Sequence, residues 1–321
     1  MQGEVRVAAV QAEPAWLDLD AGVDQAIDLI GRAAGGGAQL VAFGETFIPG
    51  YPWWIWLDSP AAGMAYVPRY AQNSMTRDGV EMQRIADAAA RHGVHVVLGF
   101  SERAAGSLYM AQAFISDTGE LISVRRKLKP THVERTVFGE GDGSDLQVHD
   151  TPLGRLGGLN CWEHLQPLTK YAMYSMDEQI HVGAWPSFSI YRGAARALSP
   201  EVNTAASLMY AVEGQTFVVA PTAVIGAAAH RAVLRHRSQE TVVAARRRVR
   251  THLRPGGIFT GRTAPGGRGR HPVRRPRPGT DRDRQVGGGP GRALLAAGRA
   301  AAAGESQPGS ASGGDSGADR T

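Results

Sequence analysis

The chain has 321 residues, a formal net charge of +5 and one cysteine, Cys161. One cysteine excludes an internal disulfide and a thiolate-rich zinc site, and no apolar run approaches membrane-spanning length. The opening Met1-Gln2-Gly3-Glu4-Val5-Arg6 lacks the basic flank and apolar stretch of a signal peptide, so a soluble cytoplasmic protein is expected.

In chain order, Val5–Gln11 reads as a buried strand. Asp20–Ala34 carries Val23, Ile27 and Ile30 at helical spacing, with Asp18 or Asp20 as N-cap and Gly35-Gly36-Gly37 as the stop. Leu40–Phe43 is a second strand with Glu45 just past its end. Val80–His92 is a helix stopped by Gly93, feeding the strand Val94–Phe100. Ala111–Ile115 and Leu121–Val124 flank the turn Asp117-Thr118-Gly119. Arg155–Asn160 is a strand running into Cys161, Leu168–Met176 reads as helical with His181 at a helix end, and Asn203–Glu213 with Thr216–Ala220 gives a last helix and strand. Strands alternating with amphipathic helices argue for an α/β class.

Beyond about residue 230 the text changes. Residues 1–229 hold 16 lysines and arginines against 24 acidic residues, whereas residues 230–321 hold 19 basic residues, all arginine, against 6 acidic. The tail is Arg/Gly/Pro/Ala-rich with one Phe, a composition that buries too little apolar surface to offset its ordering entropy, so disorder is expected over most of it. An RNA-binding role for this tail is the alternative from another class. A change of reading frame in a GC-rich gene accounts for the same text without any selected function, and that reading leaves nucleic acid out of the expected partners.

Cys161 stands where a strand ends and a turn begins, a place that exposes a side chain to backbone N–H groups able to stabilise a thiolate. The surrounding Asn160-Cys161-Trp162-Glu163-His164 is too polar for an ordinary core strand. A thiol nucleophile needs a base. His164, His132 and His181 are candidates without an obvious orienting carboxylate; Glu45 and Glu134 are carboxylates whose pKa a closed pocket would raise toward neutrality.

Gly44-Glu45-Thr46-Phe47-Ile48-Pro49-Gly50-Tyr51-Pro52, Arg126-Lys127-Leu128-Lys129-Pro130-Thr131-His132-Val133-Glu134-Arg135 and Asn160-Cys161-Trp162-Glu163-His164 resemble, in order, the three signature blocks of the nitrilase superfamily. The Cys-Trp-Glu-His form resembles its nitrilase branch. The resemblance covers residues 5–226. It implies an α-β-β-α four-layer sandwich for residues 1–229, no cofactor and no metal, and homo-oligomers built from dimers that stack into spirals. It also implies a Glu45-Lys127-Cys161 triad with Glu134 as supporting carboxylate. Lys129 competes for the lysine role; Lys127 is preferred because it directly follows the short strand and precedes one apolar residue, as the family's lysine does.

The implied reaction is hydrolysis of a nitrile to acid and ammonia through a covalent thioimidate, with an amidase or carbamoylase of the same superfamily, or an inactive assembly protein, as alternatives. Aromatic walls suit an apolar nitrile. Tyr51, Trp162, Trp185 and Pro186 are the expected substrate-binding residues; Trp53, Trp54 and Trp56 divide evenly between pocket and core, and Phe188 is a further aromatic candidate.

Overall fold

A computed structural model describes residues 4–187, 195–232 and 257–263. Among these residues ten strands fall into two sheets. The larger sheet has the order β10-β1-β2-β3-β4-β5, with β1 Val5–Gln11, β2 Leu40–Ala42, β3 His95–Ala104, β4 Ser107–Ile115, β5 Leu121–Arg126 and β10 Gly257–Thr263. The smaller has the order β6-β7-β8-β9, with β6 Val148–Thr151, β7 Gly154–Asn160, β8 Ile180–Ala184 and β9 Phe217–Val219. β1, β2 and β3 are parallel, as are β7, β8 and β9.

Helices cover the outer faces. α1 (Leu19–Gly35) starts where the Asp18 side chain accepts the Ala21 N–H and buries Val23, Ala26 and Ile30. Three short helices follow, α2 (Trp54–Leu57), α3 (Pro60–Gly63) and α4 (Val67–Gln72). α5 (Val80–His92) ends on Gly93 at φ +60°. α1 and α5 pack with Val10, Val41, Val96 and Ala113 into one core on the larger sheet. Between the sheets, Val7, Leu40, Ala42, Val97 and Phe114 meet Leu156, Ile180, Val182 and Val219. Outside the smaller sheet lie α6 (Pro167–Tyr174) and α7 (Pro200–Gly214), whose Met173 and Tyr210 cluster with Leu159. α8 (Ala227–Ala232) follows. The layers are therefore α-β-β-α.

One expectation changes. Ile180–Ala184 is a fully buried strand rather than a helix end at His181; five residues that contain His and Gly and are buried on both faces carry no alternation to read. The disorder expected for most of residues 230–321 falls largely outside the described residues, but Gly257–Thr263, which contains the tail's Phe, pairs antiparallel with β1 from Val5↔Thr263 to Gln11↔Gly257. No helix among the described residues is long and apolar enough to cross a membrane.

Candidate active site

The site is assembled from strand ends of both sheets. Glu45 lies in a turn three residues beyond β2, anchored by its N–H to the Trp185 carbonyl at 3.1 Å. The turn presses against β3 so closely that a Cβ on Gly99 would stand 2.0 Å from the Gly44 carbonyl oxygen, so glycine is required there for backbone approach. Lys127 directly follows β5, its N–H bonded to the Met110 carbonyl at 2.7 Å. Glu134 sits in a 3-10 turn, His132–Thr136, where Thr131 N–H donates to its Oε2 at 2.5 Å.

These three side chains meet. Lys127 Nζ donates to Glu45 Oε1 at 2.9 Å and to Glu134 Oε2 at 2.8 Å, and each of the three residues is 1% exposed. Tyr51 donates its hydroxyl proton to Glu134 Oε1 at 2.6 Å and accepts the Trp56 indole N–H at 2.7 Å. The other oxygen of Glu45, Oε2, is buried and has no hydrogen-bond partner among the described residues.

Cys161 opens a 3-10 turn, Cys161–Leu165, at the end of β7. Its φ is +48°, a left-handed conformation that costs a non-glycine residue on the order of 1–3 kcal/mol and is concentrated at functional turns. Glu163 fixes the turn: Oε2 accepts the Asn160 N–H at 2.7 Å, and Oε1 reaches across to the Leu128 N–H at 2.9 Å. Arg125 pairs with both oxygens of this carboxylate.

One cation faces two buried carboxylates, which decides the charge balance. Burial raises the Glu45 carboxyl from 4.5 to about 8, against the pull of Lys127 and with the help of Glu134. Burial alone would lower the Lys127 ammonium, but Glu134 and Glu45 outweigh it and hold the lysine charged. Burial and Glu45 push the Cys161 thiol well up, while Lys127 and the Trp162 backbone N–H oppose this. A carboxyl titrating near neutrality beside a thiol held protonated suits a proton acceptor and a nucleophile awaiting activation.

Above this group lies an open cleft of about 350 Å³, its mouth included, lined by Tyr51, Trp53, Trp56, Trp162, Pro186 and Leu198 among others, with Cys161 and Glu134 in its wall. Trp56 stacks on His132 (5.7 Å between centroids, 18° between planes), and the Trp162 indole N–H donates to Asn203 Oδ1 at 3.1 Å, tying α7 to the cleft. The lining sets the rings of Tyr51, Trp53, Trp56 and Trp162 beside the polar side chains of Thr131, Glu134, Ser187 and Asn203.

The family profile described as carbon-nitrogen hydrolase matches residues 6–246. The chain belongs to the carbon-nitrogen hydrolase family. It is 61% identical over 225 residues to a protein named nitrilase from Pseudomonas syringae pv. syringae (strain B728a), covering 70% of this chain and 67% of that one. It is 56% identical to an aliphatic nitrilase of Rhodococcus rhodochrous and 55% identical to an arylacetone-specific nitrilase of Alcaligenes faecalis; these matches cover 70% and 69% of this chain and 62% of each relative. The chain thus spans about two thirds of the length of these relatives, 62–67%. In fold it is similar to a branch 10 member of the nitrilase superfamily from Saccharomyces cerevisiae (TM-score 0.57, 18% identity, 70% of this chain and 78% of that one). It is also similar to an amidase of the nitrilase superfamily from Nesterenkonia AN1 (TM-score 0.52, 19% identity, 68% and 76%). The family match extends to residue 246, past the 226 at which the signature resemblance stops.

Within this family member the structure brings Glu45, Lys127, Glu134 and Cys161 into one buried group, and Tyr51, Trp162 and Pro186 onto the cleft wall. Lys129 points away, paired on the surface with Glu140. Trp185 does not line the cleft: it is fully buried, stacked on His164 at 4.9 Å, with its indole N–H on Ser207. Trp53 and Trp56 stand in the cleft wall instead, while Trp54 packs with Tyr66 and Tyr70. Phe188 lies outside the described residues. His181 does have an orienting carboxylate, Glu178, at 2.8 Å. Glu163 was discoverable, since Asn160 followed three residues later by Glu163 is a capping-box spacing; Arg125, a strand residue with no motif around it, was not.

Proposed function

We propose that this hydrolase cleaves nitriles to the carboxylic acid and ammonia, with Cys161 as nucleophile, Glu45 as general base, and Lys127 held in place by Glu134. The observation that carries the reading is the buried, unpartnered Glu45 Oε2, on a carboxyl that acts electrostatically on the chain's single thiol. Glu45 takes the thiol proton, the sulfur adds to the nitrile carbon, and Glu45 passes that proton to the nitrile nitrogen, leaving a neutral thioimidate and a free carboxylate. Negative charge developing on nitrogen is met by Lys127 and the Trp162 N–H. Water deprotonated by Glu45 adds to the thioimidate, ammonia leaves with a proton returned by Glu45, and a second water releases the acid from the thioester. The relatives named nitrilases support the nitrile over the amide as substrate.

Ammonia release across a panel of aliphatic, aromatic and arylacetic nitriles and their amides tests this, with Cys161→Ala as control. Turnover persisting unchanged in Cys161→Ala would overturn the mechanism, and release from amides alone would move the chain to the amidase branch.

The absence of a second cysteine to pair with Cys161 fits a reducing, cytoplasmic setting. Self-association fits the outer face of α6 and α7, where Leu168 is 85% exposed, Tyr171 71% and Val212 68%, a patch of the kind that marks an interface. Sedimentation of Leu168→Lys as a smaller species than the parent would support a homo-oligomer through this face. For the segment after about residue 230 a shifted reading frame remains the proposal, and translating the gene in its other frames tests it: a family-like continuation in none of them would reject it.

A further inference from the structure

A second chain of buried titratable groups runs behind Cys161, apart from the cleft. His164 Nδ1 is 2.6 Å from the Cys161 carbonyl oxygen, and its Nε2 is 2.8 Å from His181 Nε2. His181 Nδ1 is 2.8 Å from Glu178 Oε1, whose companion oxygen accepts the Tyr210 hydroxyl proton at 2.6 Å. The two histidines and Tyr210 are at most 1% exposed and Glu178 is 5% exposed. The strands make room for them: a Cβ on Gly157 of β7 would stand 2.1 Å from Glu178 Oε1, and one on Gly183 of β8 would stand 3.0 Å from His164 Nε2. Aromatic rings close the rest, Trp185 stacked on His164 and Tyr210 stacked on His181 at 3.8 Å.

Proton counting constrains this chain. A carbonyl oxygen only accepts, so the bond to Cys161 requires a proton on His164 Nδ1. The contact between the two rings requires one more, and the contact between His181 and Glu178 a third. Two neutral imidazoles supply two. We propose that His164, His181 and Glu178 hold a third, shared proton, and that the fully bonded chain acts as a positioning device, clamping the Cys161 carbonyl and with it the left-handed turn that presents the thiol.

The third proton resides on His181 Nδ1 beside a carboxylate or on Glu178 Oε1 beside a neutral ring; both forms leave the buried set without net charge. The other titratable groups facing it are Arg125 and Lys127, which together with His181 and burial keep the His164 ring neutral, and Tyr174, edge-on to Tyr210. Losing the third proton would leave a ring lone pair opposed to a carboxylate in a buried site, and the clamp on Cys161 would loosen. None of the three residues lines the cleft, so their effect passes through the backbone of Cys161.

The proposal rests on Cys161 being the nucleophile, and its test needs no nitrile. Nitrogen NMR of the histidine-labelled full chain reads the ring protons, and the rate of Cys161 alkylation by iodoacetamide reads the thiol's presentation without interference from another cysteine. The amide introduced by Glu178→Gln can donate to His181 Nδ1 and accept from Tyr210, completing the chain with no third proton; Glu178→Leu cannot. Expected are a protonated His164 Nδ1 and a proton shared at His181 Nδ1 in the parent, that shared proton's signature lost in Glu178→Gln, and the rates split. Alkylation should stay within about twofold of the parent in Glu178→Gln and fall about tenfold in Glu178→Leu, the size of one lost buried hydrogen bond. An unprotonated His164 Nδ1, or equal alkylation rates in the two variants, would overturn it. If Glu178→Leu does not fold, the parent spectrum and the Glu178→Gln rate still decide. The expected spectra and rates in a chain that releases no ammonia would sink the nitrilase reading and leave the positioning device standing.

Discussion

Arg125 holds Glu163 with both arms of its guanidinium, Nη1 to Oε2 at 2.8 Å and Nη2 to Oε1 at 2.7 Å. The same carboxylate takes the backbone N–H groups of Leu128 and Asn160, so it joins the residue after Lys127 to the residue before Cys161. Burial alone would raise the Glu163 carboxyl, but Arg125 outweighs it and keeps the group ionised below its usual range.

Arg125→Leu should therefore destabilise the protein by about 3–5 kcal/mol, because a buried carboxylate is left without its cation. Urea unfolding followed by circular dichroism measures this. A loss under about 1 kcal/mol, the range of an exposed pair, would show that the pair is incidental.

The two lysines of the second signature block should behave oppositely. Lys127→Met leaves Glu45 and Glu134 facing each other without their cation, and the expected result is loss of the proposed nitrile turnover together with a lower melting temperature. Lys129 is 53% exposed and Glu140 47%, so Lys129→Ala should change stability by less than about 1 kcal/mol and leave turnover near the parent level. Thermal melts and ammonia assays on the pair separate the two roles.

The raised Glu45 carboxyl has opposite consequences for stability and reactivity. Its ordinary value is 4.5 and its folded value about 8, so the folded state favours the protonated form. That contribution to stability is complete below about pH 4.5 and is lost as the pH rises through about 8. The basic form grows over the same window, so Cys161 alkylation should rise with a midpoint near pH 8. In Glu45→Gln the midpoint should move upward, toward the thiol's own raised value; an unmoved midpoint would remove Glu45 from the role of base.

Gly99→Ala tests the close approach that seats Glu45. The added methyl would stand 2.0 Å from the Gly44 carbonyl oxygen, which is backbone and cannot swing aside. Destabilisation of several kcal/mol, on the scale of overpacking with backbone shifts, is expected, with turnover falling because the Glu45 turn is displaced. Unchanged melting and turnover would mean that the turn has slack.

Much of the frame could be read from the chain because its signals are local. The α1 pattern with its Asp18 cap, the α5 stop at Gly93, and the turn at Asp117-Thr118-Gly119 each follow from neighbours within a few residues. The grouping of Glu45, Lys127, Glu134 and Cys161 came from the resemblance of three blocks. What could not be read depends on contacts between distant segments. Nearness to the motif residues in sequence makes Trp185 a wall candidate, yet the smaller sheet turns it inward onto His164 and Ser207. His181 looked like a helix-end residue, since a histidine in a wholly buried strand contradicts the usual apolar run until Glu178 and His164 are placed beside it.

Glu45 and Lys127 hang from the larger sheet, whereas Cys161 hangs from the smaller, so the site exists only while the two sheets stay in register across the layer of Val7, Leu40, Val97, Leu156, Ile180 and Val182. Each sheet can keep its own hydrogen-bond ladder after that layer has loosened. Turnover should then disappear at a lower urea concentration than the far-ultraviolet signal, making inactivation the earlier and more sensitive report of sheet separation.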